Sequence, residues 1–335
     1  MEMAIGRLPH GPRNLITDVP GVRVGHATVD RGDCHTGVTV VLPPCRNPFA
    51  EKLTAASCVF NGYGKTLGLV QVDELGTLET PIALTNTLNV GRVHDALVAY
   101  MLDICREDGI RLTSVNPVVC ECNDSRVSDI AQRPVGEAEV RAAIASASAD
   151  FAQGAVGAGR GTTCYGMKGG IGSSSRVMEL DGRTYTLGVL VQSNYGASSD
   201  FRAAYLPPGL AECDRGSIIL IVATDLPLSA RQLKRVLRRA SVGMARLGSY
   251  IGHGSGEIAV GFTTAPLMKS GGSFLTQTVL REDLMNLPFR AIGECAEEAI
   301  LQSMWHAGPD RALDGSAIPS LREYLQEQAK EDPKP

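Results

Sequence analysis

Two kinds of hydrophobic pattern alternate along the chain. Short apolar runs predict buried strands at 37–42, 67–72, 114–120, 183–192, 217–224 and 258–264. Apolar residues at helical spacing predict helices at 93–105 and 137–151, a long helix from 228 to about 250, and a final helix containing 295–306. Because strands alternate with helices throughout, the pattern predicts one layered α/β domain over residues 1–335, and it leaves the strand pairing open.

Two segments interrupt this alternation. Residues 154–172 contain eight glycines, a density that rules out a regular helix and lets backbone approach backbone or ligand closely. The long helix starts with a capping box, Ser229-x-x-Gln232, and carries five basic residues between Arg231 and Arg239. We interpret these charges as a solvated helix face rather than a binding patch.

The composition excludes several classes of partner. Hydrophobic residues make up 44% of the chain, charged residues 20%, and the formal net charge is −4. The chain has no basic stripe that could neutralise phosphates, so no nucleic-acid partner is expected. No apolar run reaches the roughly 18 residues needed to cross a bilayer, and the N-terminus has no apolar signal region. The sequence therefore predicts a cytoplasmic protein that does not bind membranes.

No metal or cofactor site is evident in the sequence. The nine cysteines are an odd number, Cys120 and Cys122 are too close for a zinc knuckle, and the six histidines are scattered. The segment from Gly62 to Thr66 resembles the end of a phosphate-binding loop, but Val59 stands where the first glycine is required. We expect reduced thiols, no metal and no cofactor.

One serine stands out as a candidate nucleophile. Ser255 lies between Gly254 and Gly256, where the long helix gives way to a strand, and its small neighbours should leave the hydroxyl accessible. His253 and Glu257 occupy the flanking positions, so this is not the G-x-S-x-G motif of α/β-hydrolases. Spacing alone leaves a second interpretation open, namely a glycine-rich turn whose serine bonds its own backbone.

Five segments together resemble, in the same order, the family of L-aminopeptidase/D-esterases, which also contains β-peptidyl aminopeptidases and nylon-oligomer hydrolases. They are ITDVPGVRVGH (16–26), PIALTNT (81–87), CYGMKGG (164–170), VLVQSNYG (189–196) and HGSGE (253–257). The resemblance covers nearly the whole chain. It implies an αββα sandwich similar to N-terminal nucleophile hydrolases, with different strand connectivity.

The resemblance also implies that the precursor cuts itself just before its nucleophile. The matching bond is Gly254–Ser255, and cleavage there would give fragments 1–254 and 255–335. The freed α-amine of Ser255, with an ordinary pKa of about 7.7 to 8.0, would serve as the base for its own hydroxyl. His253 is the competing base.

Two further residues receive roles from the matching motifs. Asn194 falls on the asparagine that stabilises the oxyanion, although an asparagine capping a strand end is the alternative. Lys168 matches a lysine that some members place beside the nucleophile, and a solvent-facing loop charge is its alternative.

The family's C-terminal motif is matched less closely. It is a Ser-x-Glu or Asp-x-Asp pair, and this chain offers Cys295 and Glu297. A thiol is a weaker hydrogen-bond donor than a hydroxyl. Residues two apart do not share a helix face, so the pair could orient the amine only if a helix begins here. Glu298 is the alternative in the next register.

The segment that binds the substrate's amino end in several aminopeptidase members is matched in part. Glu121 and Asp129 agree with the family pattern, whereas Ser125 and Arg126 replace its glycine and aromatic residue. A guanidinium in place of an aromatic ring favours an anion over an apolar side chain. We therefore predict that Glu121 and Arg126 bind substrate.

The predicted function is an autoprocessed amidohydrolase that removes N-terminal residues from small peptides, amides or esters through an acyl-enzyme. Three alternatives remain: an endo-type hydrolase of ω-amino-acid oligomers, an amine acyltransferase, and an uncut protein without enzymatic activity. The resemblance implies a homo-oligomer, with a tetramer expected, because family members associate and because an 81-residue fragment would otherwise depend entirely on the larger one.

Overall fold

A computed structural model describes residues 5–201, 215–266, 268–269, 273 and 275–331. The strands in these residues are, in chain order, β1 (Arg23–Arg31), β2 (Cys34–Leu42), β3 (Leu53–Gly62), β4 (Thr77–Leu78), β5 (Ile82–Asn86), β6 (Val118–Cys122), β7 (Thr163–Cys164), β8 (Met167–Lys168), β9 (Ile171–Leu180), β10 (Arg183–Asn194), β11 (Arg215–Thr224), β12 (Gly254–Thr263), β13 (Met268–Lys269), β14 (Leu275–Thr276), β15 (Asp310–Arg311) and β16 (Ala317–Ile318).

The α-helices in the same residues are α1 (Leu69–Leu75), α2 (Val90–Glu107), α3 (Glu137–Ala145), α4 (Ala230–Leu237), α5 (Ala240–Arg246), α6 (Asn286–Trp305) and α7 (Leu321–Glu331). None of them is both long and apolar enough to cross a membrane.

Two sheets form the centre of the fold. A four-stranded sheet has the order β1-β2-β5-β6, and a six-stranded sheet has the order β4-β3-β12-β11-β10-β9. Helices α2 and α3 pack on the four-stranded sheet, whereas α4 and α6 pack on the six-stranded sheet and α5 packs on α6. Apolar side chains of both sheets share one core between them. The predicted αββα sandwich is confirmed.

Strand β11 shows why the sequence forms these layers. Ile218, Leu220 and Val222 belong to the core beneath the helices, while Ile219 and Ile221 belong to the core between the sheets. Successive side chains of a strand point to opposite faces, so a strand covered on both sides must be apolar at every position. The continuous apolar run predicted this burial correctly.

The pairing of β10, β11 and β12 positions the site. Strands β11 and β12 are parallel, which requires a crossover connection, and α4 and α5 lie in it. Strand β10 is antiparallel to β11, so the end of β10 meets the starts of β11 and β12. Ser217 pairs with both Asn194 and Gly256, and Gly216 pairs with Ser255. The motifs that contain Asn194 and Ser255, far apart in sequence, therefore meet at the same end of the six-stranded sheet.

Two predicted elements are wrong. Residues 67–72 were expected as a strand, but 69–75 form helix α1, bounded by Gly68 and Gly76 with φ of 90° and 65°. A short apolar run fits either structure, and these left-handed glycines decide the boundaries. The single helix expected over 228–250 is two short helices, α4 and α5, and the chain leaves helical geometry before Gly248, which has φ of 105°.

The basic residues of α4 lie at the surface in ion pairs. Arg231 and Arg235 both pair with Glu282, and Lys234 lies 2.5 Å from Asp73. Their interpretation as a solvated face is confirmed. The capping box is confirmed as well, since the Ser229 hydroxyl accepts from the backbone N–H of Gln232 at 3.2 Å.

Candidate active site

A cavity of about 670 Å³ opens where β6 of the four-stranded sheet and β10 of the six-stranded sheet end and where β12 begins. Its lining includes four residues that the sequence selected: Glu121, Arg126, Asn194 and Gly254. They come from segments separated by up to 133 positions, which only the folded chain brings together. The cavity is thus the candidate active site.

Ser255 lies directly behind the cavity wall. It is the second residue of β12, it is fully buried, and its hydroxyl has no hydrogen-bond partner among the described residues. The expectation of an accessible hydroxyl is therefore wrong for the uncut chain. The alternative of a turn serine bonded to its own backbone is wrong as well, because Oγ is unpartnered. His253 is exposed and does not bond this hydroxyl.

The segment before Ser255 is held by one side chain and contains backbone strain. Asn61, at the end of β3, donates from Nδ2 to the carbonyl oxygens of Gly252 at 2.9 Å, His253 at 3.2 Å, and Ser255. Ile251 has φ of 59°, a left-handed conformation that is unfavourable for a β-branched residue. Such outliers cost about 1–3 kcal/mol and persist only where surrounding contacts fix them.

Asn194 is fixed in one orientation at the end of β10. Its Oδ1 accepts from the backbone N–H of Thr163 at 3.0 Å, so Nδ2 is turned the other way. Nothing in the described part of the chain accepts from Nδ2, and the residue borders the cavity while only 8% exposed. The arrangement leaves an amide donor available for an anion.

Lys168 is buried beneath the glycine-rich segment. Its Nζ donates to the carbonyl oxygens of Thr162 at 2.7 Å, Gly169 at 3.1 Å and Gly159 at 3.3 Å. Burial lowers the pKa of this amine to about 7. The interpretation as a solvent-facing charge is wrong. The structure does not bring Lys168 into contact with Ser255; instead, Lys168 holds the loop that carries Thr163, the partner of Asn194.

Glu121 supplies a carboxylate to the cavity from strand β6. Its Oε1 accepts from the backbone N–H of Lys65 at 2.8 Å, and its Oε2 accepts from the hydroxyl of Thr87. A carboxylate has about four acceptor positions, so these two donors leave room for a further one. Lys65 and Thr87 also line the cavity, and the sequence did not reveal either as a site residue.

The C-terminal pair is not in the site. Helix α6 begins at Asn286, so Cys295 and Glu297 lie inside it, about 200° apart around its axis. The Cys295 thiol contacts the Leu187 carbonyl at 3.6 Å, and Glu297 pairs with Arg246 at 2.9 Å. At about 3.3 Å per strand residue, Leu187 is about 23 Å along β10 from Asn194.

Glu298, the alternative to that pair, also bonds to residues outside the cavity. It pairs with the buried Arg176 at 2.8 Å and accepts from the Asn14 side chain at 2.7 Å. The amine-orienting role assigned to this part of α6 therefore has no geometric support in the uncut chain.

One cavity-lining segment was not predicted to be part of the site, because the sequence suggested only a phosphate-binding loop there. Residues 62–66 fail as a phosphate-binding loop, yet Tyr63 and Lys65 line the cavity and Asn61, just before them, contacts the segment preceding Ser255. Two glycines and an asparagine at a strand end were the available signal. No group of three or more histidine, cysteine, aspartate or glutamate side chains in the described residues could hold a metal ion.

Comparison with known proteins adds a family to this geometry. The model of peptidase family S58 matches residues 14–318. The chain is 37% identical to the β-peptidyl aminopeptidase BapA of Sphingosinicella microcystinivorans, over 93% of this chain and 86% of that protein. BapA of Sphingosinicella xenopeptidilytica is 35% identical, over 88% of this chain and 81% of that protein.

Solved structures give the same result for the fold. The PH0078 protein from Pyrococcus horikoshii superposes with a TM-score of 0.91 at 42% identity, covering 100% of this chain and 98% of that one. The L-aminopeptidase D-Ala-esterase/amidase from Ochrobactrum anthropi superposes with a TM-score of 0.88 at 33% identity, covering 97% and 96%. That enzyme is described as a new variant of the Ntn hydrolase fold.

Proposed function

Because the chain belongs to peptidase family S58, we propose that it is an autoprocessed hydrolase whose N-terminal serine, Ser255, releases N-terminal residues from small peptides, amides or esters. The observation that carries the proposal is that Glu121, Asn194 and Gly254 line one cavity directly in front of the buried Ser255. The aminopeptidase names of its relatives support the same reaction class.

Processing would create the catalytic base. In the uncut chain the Ser255 hydroxyl attacks the Gly254 carbonyl carbon, the Ser255 nitrogen takes up a proton and leaves as an amine, and water hydrolyses the resulting ester. The glycine offers no Cβ to obstruct this attack. Removal of Gly254 from the cavity wall would open Ser255 to the cavity, and the new α-amine could then accept the proton of its own hydroxyl.

The strained segment before Ser255 supports such a cut. The left-handed Ile251 and the contacts of Asn61 with Gly252, His253 and Ser255 hold the backbone on both sides of the bond in one geometry. Cleavage would release that strain, and the bond would already be aligned for attack.

We expect Asn61→Leu to slow self-cleavage about tenfold or more, because one hydrogen bond is worth about 0.5–1.5 kcal/mol and tenfold corresponds to about 1.4 kcal/mol. The cut fraction is followed over time on a denaturing gel, with thermal unfolding as a check on folding. Asn116→Leu is the matched control, since its side chain donates to Gly68 at 2.8 Å, away from the cut. A folded Asn61→Leu protein that cuts at the wild-type rate would refute this role.

Hydrolysis would proceed in two steps at the same place. The Ser255 hydroxyl attacks the substrate carbonyl carbon while its proton passes to the α-amine of Ser255. Collapse of the tetrahedral intermediate then breaks the scissile C–N bond, and the leaving amine takes that proton. Water then attacks the acyl-enzyme ester by the same route. Nδ2 of Asn194 would donate to the oxygen that becomes negative in both steps.

Glu121 would set the reaction to the amino end of the substrate. Its carboxylate is held by Lys65 and Thr87 and retains acceptor capacity that a substrate ammonium can use. An amine bound there places the first carbonyl of the substrate, rather than an internal one, near Ser255. This favours removal of terminal residues over internal cutting of an oligomer.

A pair of matched substrates tests this assignment. We expect an alanyl or β-alanyl p-nitroanilide to be hydrolysed, and its N-acetyl derivative to be hydrolysed at least about 100-fold more slowly, because acetylation removes the charge that Glu121 binds. The measurement is kcat/KM for nitroaniline release. Equal rates for the free and acetylated substrates would contradict the aminopeptidase assignment and favour the endo-type reaction.

A further inference from the structure

A second, smaller cavity adjoins the candidate active site. Its volume is about 240 Å³, and Tyr165, Met167, Phe201, Pro319 and Tyr324 supply most of its lining. It shares Arg126 and Gly166 with the larger cavity, so the two are neighbours across these residues. The smaller space has the size to hold one large side chain, and its wall combines these aromatic and apolar side chains with the polar Arg126 and Ser198.

Arg126 stands at the junction with its charge available. It is exposed, and in the described part of the chain no side chain forms a hydrogen bond or salt bridge with its guanidinium. Its backbone is fixed, since its carbonyl oxygen accepts from Leu313 at 2.9 Å. The positive charge of Arg126 helps to lower the pKa of Asp314, but the Asp314 carboxylate does not bond to Arg126 and accepts from the backbone N–H of Ser316 at 2.9 Å.

The other charges of the larger cavity are engaged. Lys65 donates from Nζ to the Tyr63 carbonyl and lies 4.3 Å from the centre of the Tyr63 ring. Glu121 has the two donors described above and is the proposed acceptor for the substrate's ammonium. Arg126 is therefore the cation best placed for an incoming anion, and a guanidinium pairs well with a carboxylate.

We propose that the smaller cavity and Arg126 form the subsite for the residue that leaves, which makes the protein selective for dipeptides whose second residue has a large apolar or aromatic side chain and a free carboxylate. The inference rests on the proposed function. A dipeptide would place its ammonium at Glu121, its peptide bond between Ser255 and Asn194, its second side chain in the smaller cavity and its carboxylate at Arg126.

The test compares five substrates that share one N-terminal residue, alanine or β-alanine. They are the p-nitroanilide and the dipeptides ending in phenylalanine, phenylalanine amide, glycine and glycine amide. We expect kcat/KM to be about tenfold or more higher for phenylalanine than for its amide, and about tenfold or more higher for phenylalanine than for glycine.

Two variants assign these preferences to residues. Arg126→Gln is expected to remove the difference between phenylalanine and its amide; because this difference is a ratio of two rates of the same protein, a general loss of activity, which the p-nitroanilide rate measures, does not change it. Tyr324→Ala is expected to reduce the preference for phenylalanine over glycine. Arg183→Gln is the control, since Arg183 lies at the far end of β10 from Asn194.

The outcomes separate this inference from the proposed function. A wild-type protein that hydrolyses none of the five substrates contradicts the proposed function itself. A wild-type protein that hydrolyses the p-nitroanilide but shows no preference for the free carboxylate or for phenylalanine overturns only the subsite. So does an Arg126→Gln protein that keeps the carboxylate preference.

Discussion

Replacement of Ser255 by alanine is expected to leave the chain whole and to abolish hydrolysis of every substrate. The variant loses the hydroxyl that would cut the Gly254–Ser255 bond and would form the acyl-enzyme. Loss of the serine nucleophile lowers kcat by about 10⁶-fold in a well-studied serine hydrolase, so no activity above background is expected. Denaturing gels and p-nitroanilide release measure the two effects on one sample.

The matched control for this variant is Ser57→Ala. Ser57 is a buried serine on β3 that pairs with Val260 in the same sheet. The Ser57→Ala variant loses a similar buried hydroxyl, and it should still cut itself and hydrolyse substrate at nearly wild-type rates. A Ser255→Ala chain that still splits, or that remains whole and active, would remove Ser255 from the mechanism.

The second large effect is expected at Asn194. Asn194→Asp keeps an oxygen that can accept from the Thr163 N–H, as the native Oδ1 does at 3.0 Å, but it loses the Nδ2 donor. Removal of one oxyanion donor costs about 10²–10³-fold in kcat in a well-studied case. We expect a loss of at least that size with KM little changed, because the donor acts mainly in the transition state.

Asn194→Ala separates the donor from the loop contact. It loses Nδ2 and also leaves the Thr163 N–H without its acceptor, which costs about 1–3 kcal/mol of stability if that group stays dry. The aspartate variant, whose carboxylate would also repel the oxyanion, should lose at least as much kcat as the alanine variant but unfold at a higher temperature. A processed Asn194→Asp enzyme with wild-type kcat would show that the oxyanion is stabilised elsewhere.

Much of the fold followed from local patterns because each layer imposes its own periodicity. The apolar run of β11 has both faces covered, and that run alone indicated a buried strand. The match of motifs predicts roles in catalysis, substrate binding and self-cleavage for Asn194, Glu121 and Gly254, and in the structure these three residues line one cavity. All three lie at or next to strand ends. The pairing of β10 and β12 with β11, and the packing of β6 against β10 and β11, bring these strand ends together.

The errors arose where the outcome depends on distant contacts. Residues 69–75 became a helix because left-handed glycines bound the segment and only Val72 is buried, so the short run carried no periodicity to distinguish a helix from a strand. Cys295 and Glu297 match the family motif only loosely, and their predicted role requires a helix that begins at this pair. Helix α6 begins nine residues before Cys295.

The contacts of two residues near the site, Asn61 and Lys168, do not follow from the sequence. Asn61 contacts carbonyls about 190 positions away, a relation that requires β3 to pair with β12. The motif match predicts that Lys168 lies beside the nucleophile, with a solvent-facing loop charge as the alternative, but the glycines around it let the backbone fold over the amine and present three carbonyl oxygens to it. The role of Lys168 in catalysis and the tetrameric assembly stay predictions.

Self-cleavage before Ser255 is tested most directly by intact mass spectrometry of the freshly purified wild-type protein, with N-terminal sequencing of each species and an assay of the same sample. We expect two fragments, residues 1–254 and 255–335, with the second beginning at Ser255 and bearing a free α-amine. A single 335-residue chain that hydrolyses substrate would contradict the N-terminal-serine mechanism.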